Sequence, residues 1–328
     1  MKNNLQWHPA TVRAHRDLTP TVREFEIRPE GGVKPWTVGS HLNVQVSVRG
    51  RDETRSYSLV GLPHGPGAHE VYRIAVKRAA PGRGGSRHLW RLETGAEILI
   101  GEPNNHFELA FGAPQFLLVA GGIGITPIVG MALSLAERGA NVRMCYAARS
   151  STELAYADVL RGALGERLRT FTDDAEQRLE LDAEIAALPP RGQLWMCGPM
   201  PLLDAAREAW ARSGRDAADL RFETFGNSGR FPAEPFWVDL PRHGLRLEVP
   251  ADCSLLDVLN EAGVDTLYDC RRGECGLCAV DIVRAEGHID HRDVFFSKHE
   301  KAANQRLCAC VSRVSGGGVV LDSAYRPD

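Results

Sequence analysis

The chain has 328 residues, about twice a domain length of roughly 150, so two or three domains are expected. Hydrophobic residues at 43% and charged residues at 25% supply material for packed cores and exclude disordered, collagen-like and coiled-coil chains. The 39 Lys plus Arg against 42 Asp plus Glu leave a formal charge of -3, without the basic excess that a nucleic-acid partner demands.

Residues 1–9 contain no apolar run, so the expectation is a cytoplasmic protein without a secretory signal, whose thiols stay reduced. Residues 21–27, 41–48, 72–76 and 97–100 alternate apolar and polar side chains between Gly- and Pro-rich turns. Short antiparallel strands of this kind predict a small β-barrel, which removes exposed sheet edges. Residues 109–136 carry no Asp, Glu, Lys or Arg and are long enough to cross a bilayer. Five glycines and two prolines interrupt them, and the run 116–120 has the length of a buried parallel strand, so no membrane span is expected.

From residue 115 the pattern becomes apolar strand, turn and helix, repeated over 115–136, 141–164 and 193–211, with 221–225 as a closing strand. This predicts a mostly parallel sheet with ligands at the carboxyl ends of its strands. Residues 227–235 mix turn formers with two prolines and read as a linker. Beyond it, 236–240 and 245–249 flank a turn at 241–244, and Ser254 with Asp257 begins a helix ending near Gly263. The expected domains are 1–110, 111–226 and 236–328, joined by the linker 227–235.

Of eight cysteines, Cys145, Cys197 and Cys253 are scattered, while Cys270, Cys275, Cys278, Cys308 and Cys310 crowd the C-terminal region. Cys270, Cys275 and Cys278 form C-x4-C-x2-C, the plant-type [2Fe-2S] spacing. Gly273 and Gly276 supply backbone that bends around a cluster and aims amides at its sulfurs. A zinc site is the competing reading, although structural zinc favours two short Cys or His pairs. The fourth ligand is Cys308 or Cys310; spacing alone selects Cys308, and in an extended segment the two share a face. A Rieske centre would need His within the cysteine motifs, and His288, His291 and His299 read as solvated polar residues.

Gly121, Gly122 and Gly124, followed by Thr126 and Pro127, lie between a strand and a helix, where absent Cβ atoms and amides let a pyrophosphate approach. The order departs from G-x-G-x-x-G, which disfavours an ordinary Rossmann dehydrogenase. Arg149 with Ser150, and Cys197 with Gly198 and Pro199, close two further strands on the same sheet edge. Arg55, Ser56, Tyr57 and Ser58 stand at a strand end, and the loop 82–86, including Gly84, Gly85 and Ser86, follows. Arg55 and the loop could bind a phosphate, with Tyr57 walling a flavin ring.

Taken together, these motifs resemble the phthalate dioxygenase reductase family, which includes vanillate O-demethylase reductase subunits, over nearly the whole chain. The resemblance implies a multidomain protein: an antiparallel β-barrel flavin domain, a ferredoxin reductase-like α/β parallel-sheet nucleotide domain, and an α+β β-grasp ferredoxin domain. It implies FMN held by the Arg55–Ser58 segment, Ala75, Lys77, Gly84, Gly85 and Ser86, with Phe225 beside the isoalloxazine ring. It implies NADH along Gly121, Gly122, Gly124, Thr126, Pro127, Arg149, Ser150, Cys197, Gly198 and Pro199, with Thr126 and Cys197 near the nicotinamide. It assigns the fourth cluster ligand to Cys310, leaves Cys308 as a buried neighbour, and reads a small insertion at 284–289.

The implied activity is an NADH-dependent iron-sulfur flavoprotein reductase, in which no side-chain acid or base is required because the cofactors carry the chemistry. The expected partner of this monomer is a Rieske-type terminal oxygenase or demethylase docking near Arg271, Arg272 and Glu274, which read equally well as solvated loop charges. The rivals are electron donation to a cytochrome P450 or other acceptor, and a zinc-stapled binding module without turnover.

Overall fold

Period-two alternation is clearest at residues 42–48, where Leu42, Val44, Val46 and Val48 are buried and the side chains between them are less so. A strand built this way has one apolar face, and closing a sheet on itself buries all such faces together. The computed structural model describes residues 6–48, 50–78, 84–175, 177–225, 229 and 231–323. In it the N-terminal strands are β1 (His8–Thr19), β2 (Val22–Pro29), β3 (Ser40–Val48), β4 (Arg51–Ser58) and β5 (Tyr72–Lys77). A short helix α1 (Gly85–Trp90) and strands β6 (Glu97–Ile100) and β7 (Asn104–Asn105) follow.

The strand order is β4-β3-β6-β1-β2-β5, with β7 on β3. An antiparallel bridge from Leu59 to Ile74 joins the two ends and completes the barrel around Val12, Phe25, Ile27, Val44 and Ile74. Strand β1 was not among the expected elements, because its Arg13, His15, Arg16 and Asp17 break the apolar pattern. Antiparallel partners on both sides order it nonetheless.

The parallel sheet consists of β8 (Phe116–Gly121), β9 (Val142–Ala148), β10 (Leu168–Thr172), β11 (Gln193–Cys197) and β12 (Leu220–Glu223). Its helices are α2 (Ile125–Glu137), α3 (Ala157–Leu164), α4 (Leu181–Ala186) and α5 (Met200–Arg212). The order β10-β9-β8-β11-β12 makes β8 central, and every residue of β8 is buried, as a parallel strand covered on both faces requires. The uncharged stretch 109–136 is thus β8 and the largely buried α2. No helix among the described residues is long and apolar enough to cross a membrane. Strand order reverses between β8 and β11, so their carboxyl ends mark the edge where a ligand is expected.

Barrel and parallel sheet belong to one compact unit, where the sequence pattern suggested two domains. Space for a side chain is absent between them at Gly130, where a Cβ would stand 2.5 Å from the Gly61 carbonyl oxygen. The Phe107 and Trp195 rings also meet, with centroids 5.3 Å apart.

The second unit begins at Thr224. It contains β13 (Phe236–Leu240), β14 (Leu245–Val249), α5's successor α6 (Leu255–Glu261), β15 (Ala279–Asp290), α7 (Lys298–Ala303), β16 (Arg306–Cys308) and β17 (Arg313–Asp322). The order β14-β13-β17-β15-β16, with β13 and β17 parallel, packs over Leu255, Leu256 and Leu259 of α6. Ser254 caps that helix as expected, its hydroxyl accepting from the Asp257 N–H at 3.1 Å. The segment 284–289, read as an insertion, lies in β15, whose pairing with β17 shifts register twice there.

Of the expected linker 227–235, residues 227, 228 and 230 lie outside the described residues, as do 82 and 83 of the glycine loop 82–86. The rest is stitched to the second unit. Arg292 donates to the Phe231 carbonyl at 3.0 Å, and Arg313 donates to the carbonyls of Glu234 and Pro250, both at 2.9 Å, and of Cys253 at 2.6 Å. Prolines and turn formers resemble a free linker in sequence, but these buried arginines satisfy its carbonyls. Arg313→Met strips three carbonyls of a charged donor and should lower the stability of this unit by about 3 kcal/mol. Protease cleavage within 229–235 should accelerate; an unchanged cleavage rate would show that Arg313 does not hold the segment.

Candidate cofactor and cluster sites

On the barrel, Arg55 of β4 and the loop entering α1 come together. The Arg55 side chain occupies the space a side chain at Gly85 would need: a Cβ there would stand 2.8 Å from Arg55 Cγ and 2.9 Å from its Nε. The guanidinium is oriented by Glu53, 2.6 Å away, and by the Thr54 carbonyl at 3.0 Å. Charge and glycine backbone therefore suit a phosphate, although the Glu53 carboxylate opposes a dianion. Ser56 donates to Asn43 Oδ1 at 2.7 Å, Tyr57 packs partly buried against the barrel core, and Ser58 is buried. Ala75 is buried on β5 opposite Glu24, and Lys77 lies 4.0 Å from Glu153.

On the parallel sheet, the ends of β8, β9 and β11 share one edge, as expected. A Cβ at Gly121 would stand 2.6 Å from Pro199 Cδ, and one at Gly124 would collide with the Cys197 carbonyl. The glycine turn and the 197–199 turn are thus pressed together at the strand-order reversal, with Gly122 in left-handed backbone between them. Thr126 is buried, and its hydroxyl donates to the Ile123 carbonyl at 3.0 Å, which braces the turn. Pro127 is buried in the first turn of α2, and Cys197 is buried as well. Arg149 is exposed and has no ion-pair partner among the described residues, while Ser150 bonds to the Thr152 hydroxyl at 2.9 Å.

Phe225 is partly buried and belongs to the second unit, together with its neighbour Thr224. The Thr224 hydroxyl donates to the Arg272 carbonyl at 3.2 Å, and its N–H donates to Glu274 Oε1 at 3.4 Å. The unit that these bonds belong to includes Thr224, whereas the sequence pattern ended the preceding domain at 226 and began the next at 236. In sequence Thr224 belongs to the closing strand 221–225, a pattern that gives no sign of these bonds.

In the cysteine loop, Cys270 Sγ accepts from the backbone N–H groups of Arg272, Glu274 and Cys275, each at 3.4 Å. Burial pushes the Cys270 thiol up, and these amides oppose that rise. A Cβ at Gly273 would stand 2.7 Å from Val311 Cγ2 and 2.8 Å from Asp293 Cα; one at Gly276 would strike the Phe295 ring. A loop closed this tightly, with amides aimed at sulfur, fits a sulfur-ligated cluster. Among the described residues no three donors converge on one metal-ion position.

Cys278 accepts hydrogen bonds from the Cys308 and Cys310 side chains, which, with further backbone bonds and against burial, pull its thiol down to about 3. The same bonds, with burial, push both donor thiols up. Cys308 and Cys310 do not lie on one extended strand. Strand β16 ends at Cys308, whose carbonyl accepts from the N–H groups of Val311 and Ser312, so Cys310 sits in a turn.

The charges considered for docking are engaged within the loop. Arg271 lies 3.3 Å from Asp257 and stacks 4.5 Å over Tyr268, and Arg272 pairs with Glu274 at 3.2 Å. His291 departs from the solvated reading: its side chain is 7% exposed, and it bonds Asn304 while lying 3.7 Å from the buried Asp293. Burial raises the Asp293 carboxyl, but the neighbouring His291 and the hydrogen bond from the Phe296 N–H hold it below its usual range. His288 stacks on Phe231 with centroids 5.8 Å apart, and His299 is exposed as expected.

The chain is similar to known proteins over nearly its whole length. The model of the 2Fe-2S iron-sulfur cluster binding domain matches residues 239–315. Over 320 residues, 95% of each chain, the protein is 34% identical to the phthalate 4,5-dioxygenase oxygenase reductase subunit of Pseudomonas putida. It is 36% identical over 313 residues to the heme-dependent oxidative N-demethylase beta subunit of Ectopseudomonas mendocina (strain ymp), covering 95% of this chain and 97% of that one. The solved phthalate dioxygenase reductase, described as a modular structure for electron transfer from pyridine nucleotides to [2Fe-2S], superposes with a TM-score of 0.75 at 30% identity, covering 96% of this chain and 98% of that one. The chain belongs to the phthalate dioxygenase reductase family of iron-sulfur flavoprotein oxidoreductases.

Proposed function

We propose that this chain draws electrons from NADH through FMN to a [2Fe-2S] cluster on Cys270, Cys275, Cys278 and Cys310, and delivers them to a Rieske-type terminal oxygenase or demethylase. The observation that carries the reading is the pairing, in one compact unit, of the Arg55–Gly85 cradle with the glycine turn pressed on Cys197–Pro199. The cluster loop completes the series on the same chain. When bound, flavin couples a two-electron donor to a one-electron carrier. The protein's part is placement: Thr126 braces the turn, Gly121 and Gly124 keep it against the neighbouring strand end, and Arg55 brings charge to the phosphate. The reductase subunits of oxygenase systems among the relatives support the choice of partner. The heme-dependent N-demethylase relative supports a second reading, in which the acceptor is a heme protein.

The purified protein should show flavin and [2Fe-2S] absorption that NADH bleaches anaerobically. NADPH should be far less effective, because the β9 end offers one cation, Arg149, for a 2′-phosphate. Equal kcat/KM for the two nucleotides would overturn the preference, and absence of bleaching would overturn the function.

Arg55→Ala should weaken FMN binding about ten- to a hundredfold, or about 1.5–3 kcal/mol, and leave the cluster spectrum intact. Glu53→Gln should tighten FMN, because it removes the carboxylate that opposes the phosphate. Unchanged flavin affinity in both variants would move the phosphate elsewhere.

For the fourth ligand, Cys310→Ser should lose or destabilise the cluster while NADH still reduces the flavin. Cys308→Ser should keep the cluster spectrum and electron transfer to a protein acceptor. The opposite pattern would assign the ligand to Cys308.

A further inference from the structure

Glu24 is a carboxylate in the middle of barrel strand β2, and it is only 4% exposed. Burial of such a charge is costly unless strong donors meet it. Two do: Arg16 Nε on β1 at 2.7 Å, and the Tyr156 hydroxyl at 2.8 Å. Tyr156 comes from the other half of the unit, at the start of α3, and its backbone is left-handed with φ 62°. That conformation is unusual for a bulky residue and persists only when its surroundings hold it. Burial, then the charge of Glu24, pushes the phenol well above its ordinary value, so it stays a donor.

The contact has a second point and a continuation. Three residues earlier, Glu153 accepts from the Thr21 hydroxyl on the β1–β2 turn and lies 4.0 Å from Lys77 of β5. One residue earlier, the Ala155 N–H donates to the Glu153 carbonyl at 3.0 Å and faces the Tyr146 hydroxyl, which donates to the Gly122 carbonyl at 3.3 Å. Contacts thus run from Arg16 and Glu24 to Tyr156, and from its neighbour Ala155 past Tyr146 to the glycine turn. The segment so pinned also carries Arg149 and Ser150.

We propose that Glu24 and Tyr156 are positioning residues: their bond fixes the 149–156 segment and, through Tyr146, the glycine turn against the flavin-bearing barrel, so that a bound nicotinamide nucleotide meets the flavin. This rests on the function proposed above. Neither residue needs to touch either cofactor; each acts through Gly122 and the segment. Hydride transfer is sensitive to small displacements of its partners, so loosening the latch should affect the rate at saturating nucleotide more than nucleotide affinity.

Tyr156→Phe removes only the hydroxyl and keeps the ring. In that variant, amide exchange at 122–126 and 150–157 should quicken about tenfold while the core strand β8 is unchanged, the loss expected for one bond to a buried charge. The rate of flavin reduction at saturating NADH should fall about tenfold, with NAD binding shifted less. Glu24→Gln should do the same from the barrel side, and the double variant should be no worse than either single one. Unchanged exchange in Tyr156→Phe would overturn the latch, and faster exchange with an unchanged reduction rate would overturn its positioning role. A parent protein that binds flavin yet is not reduced by NADH would overturn the underlying function instead, a result visible before any variant is made.

Discussion

Each candidate site depends on backbone approaching something that a Cβ would exclude. At Gly85 the excluded neighbour is the Arg55 side chain, at Gly124 the Cys197 carbonyl, and at Gly273 the backbone of Asp293. Sites for phosphate, dinucleotide and cluster share this requirement because each needs amides, and not side chains, near a negatively charged group. The glycines alone do not make the sites. Arg55, the 197–199 turn and Asp293 are the walls against which the backbone is pressed, and they come from distant parts of the chain.

The cluster loop shows how much depends on the wall. Asp293 is fully buried, and its carboxylate accepts from the Phe296 N–H at 2.9 Å and the Ser312 hydroxyl at 3.4 Å. The next residue, Val294, donates to the Gly273 carbonyl at 2.9 Å. This one segment therefore backs the cysteine loop on one side and the turn bearing Cys310 on the other. In the fold this segment ties the cysteine loop to the turn bearing Cys310. Arg271, Arg272 and Glu274 extend the same logic, because their pairing within the unit stabilises the loop's shape.

Fold class was legible because its signals are local. The alternation at 42–48, the wholly apolar β8 and the Ser254 cap need only neighbouring residues to be read. Chemistry was legible where a spacing is itself the constraint, as in Cys270, Cys275 and Cys278. What could not be read depends on partners far along the chain. The charged face of β1 hid a strand that its two neighbours order. Carbonyls held by Arg292 and Arg313 turned a linker-like composition into fixed structure. Tyr156 and Glu24 are 132 residues apart, and neither lies in a motif.

The choice between Cys308 and Cys310 shows where sequence patterns stop. Alternation treats the two as equivalent only if the strand continues, and it ends at Cys308. The turn that follows keeps both thiols bonded to Cys278 but gives them different surroundings. Cys308 pairs in register with Ala279 on β15 and is wholly buried, so drawing its sulfur toward Cys270 would disturb a strand pair. Cys310 lies in the turn that follows, outside the sheet. A thiol in that turn can shift without unpairing a strand, and this is the physical ground on which the proposed ligand set takes Cys310.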